Sequence, residues 1–378
     1  MDRRTFVTGT AAGATLLAGC SGAGTRADDD PATDNGTDDT PTDDGPYTVE
    51  MAPVGKVTFD APPESVAHFF PGYADMAVAL GHGDSINSIG FERRYYTFYY
   101  DELDGVGVDE ESMTQLQTRN GLDKEVFYEL DSDLHMIDPE WLINNGYFGL
   151  EAKDIDRIAD GVAPFLGNAI FRRTDEWHDY RYYSMYEAFE KVAEVYREKE
   201  TFEAFRRFHD EFLANVRANL PASKDRPEAL LCWSGVNEPV RFYPYRMADQ
   251  GTNKKQFHDL GLKGALVGTD IEGLSVNQRA MFDYETMLEV DPDSILLRGH
   301  ETKTREEFEE TVLAYMRDHE AASQLSAVED GRVYRGGPIY TGPIHNLFVT
   351  ERFAKIYFPD QFSGNLFDRD ELAAIITG

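Results

Sequence analysis

The chain has 378 residues, with 69 acidic against 36 basic side chains and a formal net charge of -33. That length accommodates one large domain or two lobes. The 41% hydrophobic and 12% aromatic content excludes a disordered chain, and the charge excludes a nucleic-acid partner, because phosphates would be repelled. The basic residues divide into 11 Lys and 25 Arg, and this balance fits a halophilic protein, in which concentrated salt screens the self-repulsion. The two cysteines form no CxxC pair, so neither a redox couple nor a zinc ribbon is indicated. Cys232 sits in the apolar run Leu230 to Trp233 and reads as core filler.

The first twenty residues read as an address. Arg3 and Arg4 followed by Phe6 resemble a twin-arginine export signal, and Leu17-Ala18-Gly19-Cys20 resembles a lipobox. The apolar stretch between them is too short and too rich in Gly and Thr to span a bilayer. Cleavage at the lipobox would leave Cys20 as a lipidated N-terminus. Residues 21–46 hold eight Asp and one Arg with almost nothing apolar, and read as a disordered acidic tether. Asn35 heads an Asn-Gly-Thr sequon within it. The fold is expected to begin near Tyr47.

The remaining chain repeats itself. Glu125 to Asp133, followed by Leu134-His135-Met136-Ile137, echoes Glu285 to Asp293, followed by Ser294 to Leu297, at an offset of 160 residues. Pro63 to Phe69 echoes Pro227 to Trp233 at an offset of 164. The first pair reads as a helix end running into a strand, the second as a strand opener. Two echoes at nearly equal offset predict two α/β lobes of related topology. Between them, Met185, Phe189, Val192 and Tyr196, then Phe205, Phe208, Phe212 and Val216, follow helical spacing. The run exceeds a usual globular helix, so a break is expected near residue 200. The predicted divisions are a signal over 1–20, a tether over 21–46, an N-terminal lobe over 47–180, a linking helix region over 181–220 and a C-terminal lobe over 221–378.

In this arrangement the chain resembles the substrate-binding lipoproteins of ABC importers for ferric siderophores and cobalamin. The resemblance rests on the opening Phe59 to Val66, on Tyr73-Ala-Asp75 through Leu80-Gly81, and on Glu285 through Asp293. It extends to Ala327-Val328 with Gly331 to Tyr334 and to Gly342-Pro343-Ile344-His345-Asn346-Leu347. It implies two Rossmann-like lobes joined by a long interlobe helix, the class III periplasmic-binding-protein fold. It implies no catalysis and no resident cofactor. It also implies a ferric chelate as ligand, an ABC permease with its ATPase as partners, and a monomer anchored by lipid to the outer face of the cell membrane. Glu125 and Glu285, at equivalent places in the two halves, correspond to glutamates that pair with arginines of the permease in that family. Cobalamin, haem or a free divalent metal are the alternative ligands, and an enzyme or sensory ectodomain on the same scaffold is the alternative of another class.

The residues themselves favour binding over catalysis. GxGxxG, P-loop, GxSxG and HExxH motifs are all missing. Ligand contacts are expected from loops at the carboxyl ends of the strands. After the strand-like Ser85 to Gly90 comes Phe91 to Tyr100, with six aromatic residues and two Arg in ten positions. Such a loop offers stacking faces, hydroxyl donors and fixed positive charge, which suit a bulky anionic iron chelate. Arg94, Tyr95 and Tyr96 are the candidates from it. The second half offers Trp233, Arg241 and Tyr243, and Arg279, Arg298 and Tyr340 border the cleft if the family topology holds. The nine His are single and widely spaced, so His68 and His135 read as structural rather than as metal ligands.

Overall fold

The computed structural model describes residues 45–119, 121–271 and 281–378, so Cys20, Asn35 and Arg279 lie outside the described residues. The chain enters as an antiparallel hairpin of β1 (Tyr47–Met51) and β2 (Gly55–Phe59). Val49, Met51, Val57 and Phe59 face the core, while Thr48, Glu50, Lys56 and Thr58 face water, the period-two pattern of a half-buried sheet. Two α/β lobes follow.

The first lobe runs β3 (Val66–His68), α1 (Pro71–Ala79), β4 (Ile86–Ile89), β5 (Thr114–Gln115), the short pair β6 (Gln117–Thr118) and β7 (Gly121–Leu122), α2 (Glu125–Leu130), β8 (Leu134–Met136), α3 (Pro139–Asn144) and α4 (Ala152–Gly161). Its parallel sheet has the order β5-β4-β3-β8. Every residue of β3 and β8 is buried, as expected of parallel strands covered on both faces.

Two helices lead onward, α5 (Met185–Tyr196) and α6 (Lys199–Asn219). The second lobe then runs β9 (Glu228–Trp233), β10 (Tyr243–Tyr245), α7 (Lys255–Leu260), β11 (Lys263–Gly264), α8 (Tyr284–Val290) and β12 (Ser294–Arg298). It continues with α9 (Arg305–Phe308), a π turn (Glu309–Leu313), α10 (Ala314–Asp318), α11 (Ser326–Glu329), β13 (Val333–Arg335), α12 (Pro343–Tyr357) and α13 (Arg369–Thr377). Its sheet has the order β10-β9-β12-β13, with β11 also on β9; only β10 runs antiparallel.

The internal repeat has a physical meaning. Helices α2 and α8 both end on an aspartate in the left-handed region, Asp131 (φ 47°) and Asp291 (φ 38°). Asp is among the few non-glycine residues found there with any frequency. Two residues on, Asp133 Oδ2 accepts from the N–H groups of Glu64 (2.9 Å) and Ser65 (2.9 Å), and Asp293 Oδ2 accepts from that of Glu228 (3.0 Å). In each lobe the carboxylate ties the entry of one central strand to the neighbouring strand. The Asp-x-Asp motif thus fixes strand register in both.

The helical run of the linker divides at Arg197, which adopts φ 60° and ends α5. The long helix is α6, 21 residues and about 31 Å at 1.5 Å per residue. Helix α5 lies antiparallel against it, because Tyr186 meets His209 while Phe189 meets Phe202 and Phe205. Helix α5 packs on β1 and α1 of the first lobe, and α6 on α7 of the second and on α13.

A second element crosses the seam between the lobes. Helix α12 is buried along most of its length and packs on α1, α5 and α7. Its N-terminus is held by Asp75 of α1. Oδ2 accepts from the N–H groups of Ile344 (2.9 Å) and His345 (3.2 Å), and Oδ1 accepts from the Tyr100 hydroxyl (2.8 Å). A carboxylate here satisfies orphan donors and complements the helix dipole. Burial pushes the Asp75 carboxyl up, and the adjacent His345 ring and these hydrogen bonds oppose it. A Cβ on Gly342 would lie 2.5 Å from Asp75 Oδ2 and 2.5 Å from the Gly72 carbonyl oxygen, so only glycine permits this approach. The buried core runs unbroken from Val49 in the first lobe to Leu231 and Leu296 in the second. A seam this apolar restrains large lobe motion.

Candidate functional site: an aromatic, arginine-lined cleft

The carboxyl ends of the central strands of both lobes open onto one cavity of about 360 Å³. The first lobe supplies Phe91, Arg93 and Arg94 from the tight turn after β4, Trp141 from α3, and Phe171 and Arg172 from the segment before α5. The second supplies Trp233 at the end of β9, Tyr243 and Tyr245 on β10, and Ile339 and Tyr340 before α12. Trp233 and Tyr243 are cross-strand partners, with ring centroids 5.6 Å apart. The described lining holds eight aromatic residues and three arginines but no carboxylate. In a chain with 69 acids against 36 bases, that exclusion makes the cleft locally positive.

The arginines are held by rings. The Arg94 guanidinium lies 4.6 Å from the Phe91 ring centroid, and its Nη1 donates to the Tyr340 hydroxyl at 3.4 Å. Arg172 is gripped by Asp175, from Nε at 2.9 Å and Nη2 at 3.4 Å, and lies 5.4 Å from Trp141 and 5.3 Å from Phe171. Tyr340 packs at 5.3 Å on Phe70 and 5.0 Å on Phe171, which fixes the ring that receives Arg94. Arg93 is exposed and forms no ion pair among the described residues. Behind Tyr245 the buried Arg298 guanidinium lies 4.7 Å from the ring; Nε donates to the Gly336 carbonyl (3.3 Å) and Nη2 to that of Asn253. Lys254 is also buried, and desolvation together with the charge of Arg298 pushes it down to about 7. The arrangement can stack on planar groups, donate hydrogen bonds and neutralise an anion.

Of the residues expected from sequence, the cleft brings together Arg94, Trp233, Tyr243 and Tyr340. Tyr95 is not among them. Its side chain turns inward, 7% exposed, and its hydroxyl meets that of Tyr100 at 3.1 Å, because successive residues leaving a tight turn point to opposite sides. Tyr96 is half-buried outside the lining, with its ring 6.0 Å from Phe98 and its hydroxyl pushed up to about 12 by burial and by Glu301. Arg241 is exposed on the β9–β10 connection, also outside the lining, and Arg298 lies one layer behind it. Trp141, Phe171 and Arg172 were not anticipated. The available signal was Phe171-Arg172-Arg173, which repeats the ring-then-arginines pattern of Phe91 to Arg94.

Glu125 and Glu285 are both exposed in the first turns of α2 and α8. Buried histidines are kept neutral: desolvation pushes His68 down to about 3 and His135 to about 4. Among the described residues no group of three or more His, Cys, Asp or Glu is placed to hold a metal ion.

No curated protein matches the sequence. Solved structures share the fold at low identity. A periplasmic binding protein from Veillonella parvula is 15% identical, over 82% of this chain and 97% of that one, with a TM-score of 0.57. The iron uptake ABC transporter substrate-binding protein PiuA from Streptococcus pneumoniae is 15% identical over 82% and 96%, with a TM-score of 0.52. The siderophore binding protein BauB, solved with two molecules of acinetobactin and ferric iron, is 18% identical over 82% and 98%, with a TM-score of 0.54. Residues 66–340 match the family described as periplasmic binding protein. That span opens on the first residue of β3, closes on Tyr340 in the cleft and takes in both sheets: the chain belongs to the periplasmic binding protein family.

Proposed function

We propose that the protein is the extracytoplasmic substrate-binding component of an ABC importer, and that it captures a ferric siderophore in the inter-lobe cleft for delivery to the permease. The observation that carries this reading is the cleft's composition, three arginines and eight aromatic residues with no carboxylate in the described lining. A ferric chelate with organic rings and net negative charge complements each of those features. The cavity volume falls within the roughly 300–1,000 Å³ usual for small-molecule sites. The iron-uptake and siderophore-binding functions in the names of PiuA and BauB support the same ligand class. A titration of intrinsic fluorescence with ferric chelates of differing charge, cobalamin, haem and divalent ions tests it. Saturable quenching is expected with anionic ferric chelates. A response to cobalamin or to bare metal alone would reassign the ligand.

The anchoring and docking readings belong with this function. Cys20 carries lipid in this reading, so Cys20→Ala releases the protein from the membrane without unfolding it. Glu125 and Glu285, exposed at matching places in the two lobes, dock the permease. The double variant Glu125→Arg/Glu285→Arg is expected to keep chelate affinity and abolish uptake. Loss of chelate binding would place these residues in ligand capture instead.

A further inference from the structure

A second cavity, of about 740 Å³, shares no lining residue with the cleft. Its walls join Phe98 and Tyr99 of the first lobe to α9, β13 and α12. One side is apolar, formed by Phe98, Phe308, Phe348 and Ile356, and Phe98 leaves 42% of its surface exposed there. Helix α9 continues from Phe308 directly into the π turn, a rare geometry that often accompanies binding sites.

The charges around this cavity do not cancel. Arg305 pairs with Glu309, Lys355 with Glu351, and Arg369 with both Glu351 and Glu102, which also lines the cavity. Arg352 pairs with the buried Glu301, which also accepts from the Tyr99 hydroxyl at 2.8 Å. Arg335 gives its Nη1 only to the backbone carbonyls of Glu301 and Lys303 and forms no ion pair among the described residues. Arg352 keeps Nε and Nη2 buried without a partner. The five lining cations therefore meet four carboxylates, Glu102, Glu301, Glu309 and Glu351, and the charge of Arg335 is left without an ion pair beside an apolar wall. Desolvated charge without a counter-ion is costly, and an anion carried on an apolar body would satisfy both halves of the cavity.

We propose that this cavity is a second small-molecule site, for an amphipathic carboxylate whose anionic head meets Arg335 and Arg352 and whose hydrocarbon or aryl body lies against Phe98, Phe308 and Phe348. The test titrates the full chain with 1-anilinonaphthalene-8-sulfonate and then competes the probe with octanoate, octan-1-ol and octyltrimethylammonium. One equivalent of octanoate-displaceable probe is expected, not displaced by the neutral or cationic analogue, and any probe held in the cleft is set apart by its loss in Trp233→Ala. Arg335→Gln is expected to weaken octanoate about tenfold, the loss of one charge-assisted hydrogen bond. Phe98 is surface-exposed, so Phe98→Ala keeps the fold and is expected to weaken octanoate several-fold. Trp233→Ala, in the cleft, leaves it unchanged. Displacement by octan-1-ol as effective as by octanoate would overturn the proposal, as would absence of saturable binding. So would a loss caused by Trp233→Ala and not by Arg335→Gln, since the probe would then occupy the cleft.

Discussion

The two lobes share a frame and differ in their loops. In each, a short helix ends on a left-handed aspartate, and an aspartate two residues later ties two neighbouring parallel strands together. The loops that leave this frame divide the work of the cleft. All three lining arginines come from the first half of the chain, whereas the second half contributes an indole, three phenols and an isoleucine and carries no charge. Related scaffolds thus place dissimilar chemistry on either side of one cleft, positive charge on one side and rings and hydroxyls on the other.

The largest effect is expected where the lobes meet rather than in either of them. Asp75→Ala removes the acceptor for two N–H groups of α12 and for the Tyr100 hydroxyl, all buried. Stranding buried donors at a helix terminus costs about 3 kcal/mol or more. Urea denaturation measures it, and a change below about 1 kcal/mol would mean that the lobes are held by apolar packing alone.

The division of labour in the cleft predicts a split in ligand response. Tyr243→Ala or Trp233→Ala is expected to weaken any ring-bearing chelate by about 1–3 kcal/mol. Arg94→Gln is expected to weaken anionic chelates while leaving neutral ones nearly untouched. Equal losses for both chelate classes in Arg94→Gln would show that its role is to hold Phe91 and Tyr340 in place.

Acid separates the lobes next. The first-lobe strands bury His68 and His135, where the repeat places Cys232 and Ile295 in the second. Burial depresses the two imidazoles from 6.5 to about 3 and about 4, so the unfolded chain binds protons that the fold refuses. Their contribution is complete above pH 6.5 and is lost as pH falls through the interval down to those values, about 1–2 kcal/mol for each ring by pH 5. Cys232, pushed up by burial, stays neutral throughout that interval and adds no such slope, and the buried second-lobe imidazoles that burial pushes down, His300 and His345, lie past the end of β12 and in α12 rather than in a strand. Hydrogen exchange at pH 7 and pH 5 should show first-lobe strand amides losing protection first, and His68→Cys should flatten the dependence. Uniform loss in both sheets would contradict this.

What could be read in advance follows the same boundary between frame and loop. The Asp-x-Asp echoes were legible because register needs the same carboxylate in both lobes. The helix of 199–219 was legible because its buried Phe and Val recur at helical spacing. The Tyr73-Ala-Asp75 and Gly342-Pro343-Ile344-His345 segments were visible as motifs, but their contact was not, because nothing local announces a helix cap contributed from 270 residues away. In the cleft, Arg94, Trp233, Tyr243 and Tyr340 could be picked out by residue type. Tyr95 could not be told from them, because the facing of consecutive side chains depends on the turn they leave. Trp141, Phe171 and Arg172 lie in segments without strand-like pattern, and only the tertiary fold brings them to the cleft.

The smallest effect probes the frame itself. Asp133 accepts two backbone N–H bonds where Asp293 accepts one, and both side chains are exposed, so water can replace part of what a substitution removes. Asp133→Ala should therefore cost about 1 kcal/mol and Asp293→Ala about half of that, the lower end for an ordinary hydrogen bond and below the range for a charged acceptor, because water takes over at these exposed sites. The sites lie in different sheets and share no partner, so the double variant should show the two costs added to within about 0.5 kcal/mol. Equal single costs would show that the bond count does not set the strength of the tie. A double variant well below the sum would show that the second lobe is already lost when the first one yields, which would make the two sheets one unfolding unit held by the core that runs through the seam.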